Sequence, residues 1–253
     1  MRVIAFIPAR MGASRFPGKP MAKINNIPMI GHCYFRTNSC KDLDDTYVAT
    51  CDKEIFDYIK SIGGKAVMTS KKHERASDRI AEAMKIVEKE TSSLIDLPVM
   101  VQGDEPLVTP EMITEAITPF FSNKKIKVVN LVSEIENYDD FLDPNEIKVV
   151  LDKNNYALYF SRSPIPFNKF GDKNFKKLKQ VCVIPFKRNF LLKFNSLPQT
   201  ELEKLESVDM MRVLENGEKV LMVPTSAKSF SVDTEQDRIK VEKIMKKEKN
   251  KYF

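Results

Sequence analysis

Three observations in the 253-residue sequence predict an α/β fold, with a doubly wound, mostly parallel sheet and a smaller β-rich region. Short apolar runs alternate with amphipathic segments of helical period from residue 3 to residue 117. A loop rich in glycine, proline and cations, residues 8–20, follows the first run. Beyond residue 125 strand-like runs continue, but regular helical spacers do not.

In chain order, Val3–Ile7 is a short buried strand that stops at Pro8. Pro28 opens a helix reaching Phe35, and Thr46–Thr50 is the second strand. Ile55–Ile62 is helical, Gly63 and Gly64 end it, and Lys65–Met68 is the third strand. Ser77–Lys89 places Ile80, Ala83, Met84 and Val87 on one face, with Ser77 or Thr69 near the cap. Pro98–Val101 is apolar on both parities, so it is expected to be buried on both faces, and Pro110–Ile117 is a further helix. Strands are then expected at Val128–Val132, Lys148–Leu151, Tyr156–Ser161 and Lys176–Phe186. A helix begins over Phe190–Phe194, another runs unbroken from Thr200 to Leu214, Lys219–Val223 closes a sheet, and residues 233–237 cap a final helix.

The loop after the first strand carries Arg10, Arg15 and Lys19 among Ala9, Gly12, Ala13, Ser14 and Gly18. Small residues let backbone N–H groups approach an anion, and the carboxyl end of a parallel strand is where open α/β sheets bind ligands. The segment is either a polyphosphate cradle or a basic solvated turn; it is neither a Walker loop nor GxGxxG. A second chemical spot, Gln102-Gly103-Asp104-Glu105-Pro106, follows the buried strand. Asp104 there can hold Mg²⁺ against phosphate oxygens, or it caps the turn leading to Pro110. His32 has no partner at metal or triad spacing and is expected to be structural, whereas His73 lies in a polar loop that can approach a ligand.

With 42% hydrophobic and 30% charged residues, the chain has the balance of a soluble globular protein. The net charge of +6 leans on lysines at 240, 243, 246, 247, 249 and 251, a solvated terminal face rather than a nucleic-acid patch. Four cysteines without a CxxC pair suggest a reduced, cytoplasmic chain. No apolar run approaches the roughly 18 residues of a membrane span, and the run after Arg2 is too short for a signal peptide. One domain over 1–253 is expected, in three parts: 1–125 with the basic loop, a less regular β-rich part over 126–215 that can cover the site and mediate dimer contacts, and a closing strand and helix over 216–253.

The stretches IPARMGASRFPGKP, VQGDEP, KVVLDKNNYALYFSRSPIPF, MRVLENGEKV and SVDTEQD resemble, in order, those of the bacterial CMP-Kdo synthetase family, the 3-deoxy-manno-octulosonate cytidylyltransferases. The resemblance implies a nucleotide-diphospho-sugar transferase-like fold, a homodimer, CTP as donor, an acidic sugar as acceptor and Mg²⁺ as cofactor. It implies that Arg10, Arg15 and Lys19 face the triphosphate, with Arg15 and Lys19 nearest the departing charge, and that Asp104 and Asp233 hold the metal. Pro8, Ala9, Ser14, Ser77, Arg79 and Gln102 complete the nucleotide side, while Gln102, Arg162, Gln180 and Asp209 lie toward the acceptor. The roles left to Asp233 and Arg162 outside this resemblance are a helix cap and a structural ion pair.

The chain departs from the family at three places. Arg75-Ala76-Ser77-Asp78-Arg79 stands for Ser-Gly-Thr-Glu/Asp-Arg, Gln180-Val181-Cys182-Val183-Ile184 for His-Leu-Gly-Ile/Val-Tyr, and Asp209-Met210 for Glu-Gln. The nucleotide half matches the family better than the sugar half. The acceptor therefore stays open among 3-deoxy-manno-octulosonate, a modified form of it and a nonulosonic acid, and a nucleotide-binding homologue without turnover is the remaining alternative.

Overall fold

The first strand sets the architecture, because its side chains alternate between two cores. A computed structural model describes residues 1–12 and 15–247. The chain opens with β1 (Val3–Ala9), β2 (Lys23–Ile24), β3 (Ile27–Pro28), α1 (Met29–Asn38), β4 (Asp45–Thr50), α2 (Lys53–Ser61), β5 (Ala66–Met68), α3 (Ala76–Thr91), β6 (Leu97–Val101) and α4 (Pro110–Ile117). It continues with α5 (Pro119–Ser122), β7 (Val129–Glu134), α6 (Tyr138–Leu142), β8 (Lys148–Leu151), β9 (Ala157–Ser161), β10 (Leu178–Val181) and β11 (Val183–Pro185). Last come α7 (Arg188–Ser196), α8 (Glu201–Glu206), α9 (Met210–Glu215), β12 (Leu221–Pro224) and α10 (Glu235–Lys247).

Ile4 and Phe6 of β1 pack with residues of α3, α7 and α9, whereas Val3, Ala5 and Ile7 pack with residues of α1, α2 and α4. Helices on both faces make the sheet doubly wound, as the alternation of strand and helix predicts. The strand order is β11-β6-β1-β4-β5, parallel throughout except for antiparallel β11. A second five-stranded sheet, β12-β7-β10-β8-β9, is antiparallel apart from the β7–β12 pair. Among the described residues no helix is long and apolar enough to cross a membrane.

Four expectations change. Strand β1 continues through Pro8 to Ala9, paired with β4 as far as Thr50, while its pairing with β6 ends at Phe6. The Pro8 carbonyl faces Gly103 on the side that β6 has left, so the missing N–H costs no ladder bond there. The segment Lys176–Phe186 is not one strand, because the chain changes sheets at Cys182 between β10 and β11. The expected helix Thr200–Leu214 is broken at Ser207, whose φ of 53° ends α8 in the left-handed region and leaves Leu205 73% exposed. Neither Ser77 nor Thr69 caps α3, whose N-cap is Arg75 without a side-chain bond.

Candidate active site

The site lies at the carboxyl ends of β1 and β6, where the parallel sheet leaves its strand-end loops facing one another. At β6 the chain turns through Gly103, at which a Cβ would sit 2.7 Å from the Pro8 carbonyl. No larger residue fits, and the turn brings Asp104 beside the β1 loop. That loop is pinned at both ends of its described part: the Met11 N–H donates to Asp52 Oδ2 at 2.8 Å, and the Gly18 N–H to the Met11 carbonyl at 3.0 Å. Gly18 has a φ of 73°, a left-handed turn that starts the 3₁₀ segment Lys19–Met21.

Asp233 arrives from the other end of the chain. The Val232 N–H donates to the Asp104 carbonyl at 2.8 Å, tying the segment before α10 to the end of β6. Asp233 does not cap α10. The Thr234 hydroxyl accepts from the Asp237 N–H, and the Asp237 carboxylate accepts in return from the N–H groups of 233 and 234. Nor does Asp104 cap α4, a role filled by Thr109. Both carboxylates are thus free for Lys19, whose Nζ lies 2.7 Å from Asp104 Oδ2 and 3.2 Å from Asp233 Oδ1. Burial lowers the Lys19 pKa, but the two carboxylates outweigh it and hold the ammonium above its ordinary value. Arg15 pairs with Asp233 at 3.1 Å and donates to Asn145 Oδ1.

Two cavities share this wall. The larger, about 310 Å³, is lined by the expected Pro8, Ala9, Arg10, Arg15, Lys19, Arg79 and Gln102, with Asp104 and Asp233. Arg10 projects exposed, and among the described residues it makes no ion pair. Ser14 lies outside the described residues. Ser77 is fully buried and donates to Asp209 Oδ2 at 2.8 Å, so these two side chains hold each other and line neither cavity. Arg79 reaches the wall but is engaged by Thr69 Oγ1 at 2.6 Å and by the carbonyls of Ser70 and His73.

His73 lines the same cavity, its Nε2 2.5 Å from Glu82. Burial raises the Glu82 carboxyl, but the Ser70 N–H and His73 overcome that and lower it. Arg75, also on this wall, donates to Ser207 Oγ at 3.2 Å. His32 is structural: it is buried, with Nε2 2.8 Å from the Ile24 carbonyl and a pKa lowered by burial.

The smaller cavity, about 210 Å³, shares Arg15, Gln102, Asp104 and Asp233 with the larger. Gln180 lines it as expected, but Arg162 does not. The Arg162 guanidinium donates to the carbonyls of Glu206 and Pro144, bracing the loop that carries Asn145 and Glu146 into the cavity. Residues that the sequence did not announce complete the wall. Lys179 pairs with Glu146 at 3.0 Å, and buried Glu105 accepts from Ser229 Oγ at 2.5 Å and from the Cys182 N–H at 3.2 Å. Burial pushes the Glu105 carboxyl up. No motif surrounds Lys179, and the Leu-Lys-Gln-Val of β10 has no alternation that would flag it.

Cations held against two carboxylates on a wall shared by two cavities suit the handling of a nucleoside triphosphate beside a second substrate. Residues 4–220 match a family model described as cytidylyltransferase, which makes the protein a nucleotidyltransferase. The chain is 43% identical to the 3-deoxy-manno-octulosonate cytidylyltransferase of Trichlorobacter lovleyi, over 97% of this chain and 99% of that one. It is also 43% identical to the enzyme of the same name from Thermodesulfovibrio yellowstonii, over 97% and 98%. The solved structure of a CMP:2-keto-3-deoxy-manno-octonic acid synthetase complexed with CTP superposes with a TM-score of 0.88 at 32% identity, covering 97% and 99%. The protein belongs to the 3-deoxy-manno-octulosonate cytidylyltransferase family.

Proposed function

We propose that the protein transfers CMP from CTP to 3-deoxy-manno-octulosonate, releasing pyrophosphate and activating the sugar acid for lipopolysaccharide. The observation that carries this reading is the Lys19 ammonium between Asp104 and Asp233 on the wall shared by the two cavities. CTP occupies the larger cavity and the sugar acid the smaller. The anomeric hydroxyl oxygen forms a bond to the α-phosphorus as the bond from that phosphorus to the bridging oxygen breaks; the hydroxyl proton passes to water, and pyrophosphate leaves with the charge. Arg10, Arg15 and Lys19 meet that charge. Cations fixed before the reaction stabilise a transition state better than groups that must reorient.

Asp104 and Asp233 fit Mg²⁺ by donor type: two hard carboxylates converge on one ammonium, and no third acidic, histidine or cysteine side chain joins them among the described residues. Such a set leaves positions for phosphate oxygens and water, the coordination Mg²⁺ favours. Bound there, the ion would supply Lewis-acid charge at the α-phosphate. Lys19 meanwhile screens the two carboxylates from each other.

The reading includes a cytoplasmic homodimer. Free cysteines at 33, 40, 51 and 182 support a reducing compartment. Exposed Leu158 on edge strand β9, with Phe167 and Phe170 in the loop beyond it, supports association through the second sheet.

The test is pyrophosphate release from CTP across a panel of sugar acids. Turnover with 3-deoxy-manno-octulosonate is expected. Turnover confined to a nonulosonic acid would replace the acceptor, and none with any acid would reduce the protein to a nucleotide binder. Chelation should abolish turnover and Mg²⁺ restore it; activity that persists in chelator removes the metal from the reading.

A further inference from the structure

Asn130 on β7 is wholly buried, and its amide has a single workable orientation. Its Nδ2 donates to the Leu131 carbonyl at 2.9 Å and to the Val181 carbonyl at 2.7 Å. Carbonyls only accept, so the nitrogen must face them and Oδ1 must face away. There Oδ1 accepts from Gln180 Nε2 at 2.5 Å. The register makes the contact natural: Gln180 pairs with Val132 across the β7–β10 ladder, which sets its side chain diagonal to Asn130 on the same face.

An oxygen presented to Gln180 selects the nitrogen end of its amide and turns Oε1 the other way. Gln180 lines the smaller cavity, and among the described residues its Oε1 receives no donor. We propose that Asn130 is a positioning residue for acceptor selection: through Gln180 it presents a fixed amide oxygen to a hydroxyl of the sugar acid. An unlocked amide would offer donor and acceptor by turns, and a hydroxyl would gain nothing over a carbonyl or an ether. The oxygen also repels a carboxylate at this point, so the hydroxyl-bearing side of the acid faces Gln180. The inference rests on the acceptor occupying the smaller cavity, as proposed above.

A double-mutant cycle on the full chain tests it, using Asn130→Leu, Gln180→Met and the pair, with 3-deoxy-manno-octulosonate as the probe. Each single variant should raise the acceptor KM by about tenfold, the cost of one lost hydrogen bond, while kcat changes far less. CTP affinity, read by thermal shift, should not move. The pair should be no worse than Gln180→Met alone, because Asn130 acts only through Gln180; a packing role for Asn130 predicts additive losses. Where Asn130→Leu does not fold, Asn130→Ser takes its place in the cycle. Additive losses, or an unchanged acceptor KM in a folded Asn130 variant, overturn this inference alone. Failure of the unaltered protein to turn over any sugar acid overturns the functional reading and this inference together.

Discussion

The two sheets build their halves of the site in different ways. In the parallel sheet the functional groups stand on the loops after β1 and β6, beyond the ends of the ladder. In the second sheet Lys179 and Gln180 stand on the ladder itself, and the loop carrying Asn145 and Glu146 is braced against it by Arg162. Topology makes the first half: any parallel sheet of this order leaves a crevice at its strand ends. Side-chain identity makes the second, so one substitution on a strand can retune it without disturbing the cradle.

The contrast is tested most severely at the shared wall. Asp104→Asn and Asp233→Asn should each lower turnover by about 10³-fold or more while circular dichroism and melting stay near those of the unaltered protein. A folded variant of either that keeps full turnover would dissociate that carboxylate from the chemistry. A large stability effect is expected at the break between α8 and α9, where Arg212 pairs with fully buried Glu203 at 2.5 Å. Arg212→Leu leaves the buried carboxylate only Arg75 at 3.8 Å and the Thr200 N–H at 3.3 Å, and should cost about 3 kcal/mol in chemical denaturation. Glu203→Met with Arg212→Leu should recover most of that loss.

Within the parallel-sheet half, two glycines separate close packing from open space more gently. Gly103→Ala forces the β6 turn away from Pro8 and should cost about 1–3 kcal/mol together with CTP affinity. Gly12→Ala, with nothing within 4 Å of the added carbon, should leave stability close to unchanged. Equal effects would mean that the close approach at Gly103 does not shape the site.

The smallest effect is a pH dependence. Burial raises the Glu88 carboxyl, but Arg188 at 2.6 Å and the Ile95 N–H at 2.9 Å outweigh it, so its pKa lies below the ordinary 4.5. A depressed carboxylate contributes stability above its unfolded pKa and loses it as pH falls through the folded one. Melting profiles below about pH 4.5 should therefore be flatter for Glu88→Gln than for the unaltered protein. An unchanged acid limb would exclude Glu88 from it.

The same division between the sheets decides how much of the molecule is legible in its sequence. The cradle, the Gln102–Asp104 turn and the order of β1 to α4 are legible because glycines, prolines and cations punctuate a regular alternation. Asp233 is assigned to the site only by resemblance, since the Val232–Asp104 backbone bond that delivers it joins distant parts of the chain. Lys179, Glu146 and Asn130 are silent. A polar residue in an apolar strand looks the same whether it faces solvent, a cavity or a buried amide. The breaks at Cys182 and Ser207 are hidden because neither residue is a glycine or a proline.

Cys182 has a mechanical consequence. It is the single residue between a strand of one sheet and a strand of the other, so the two are stitched with about two Cα steps of 3.8 Å and no slack. The sheets can tilt about that stitch, but they cannot slide past each other. Any breathing of the cleft is consequently angular, and the distance between the floors of the two cavities at this point is set once, when the chain folds.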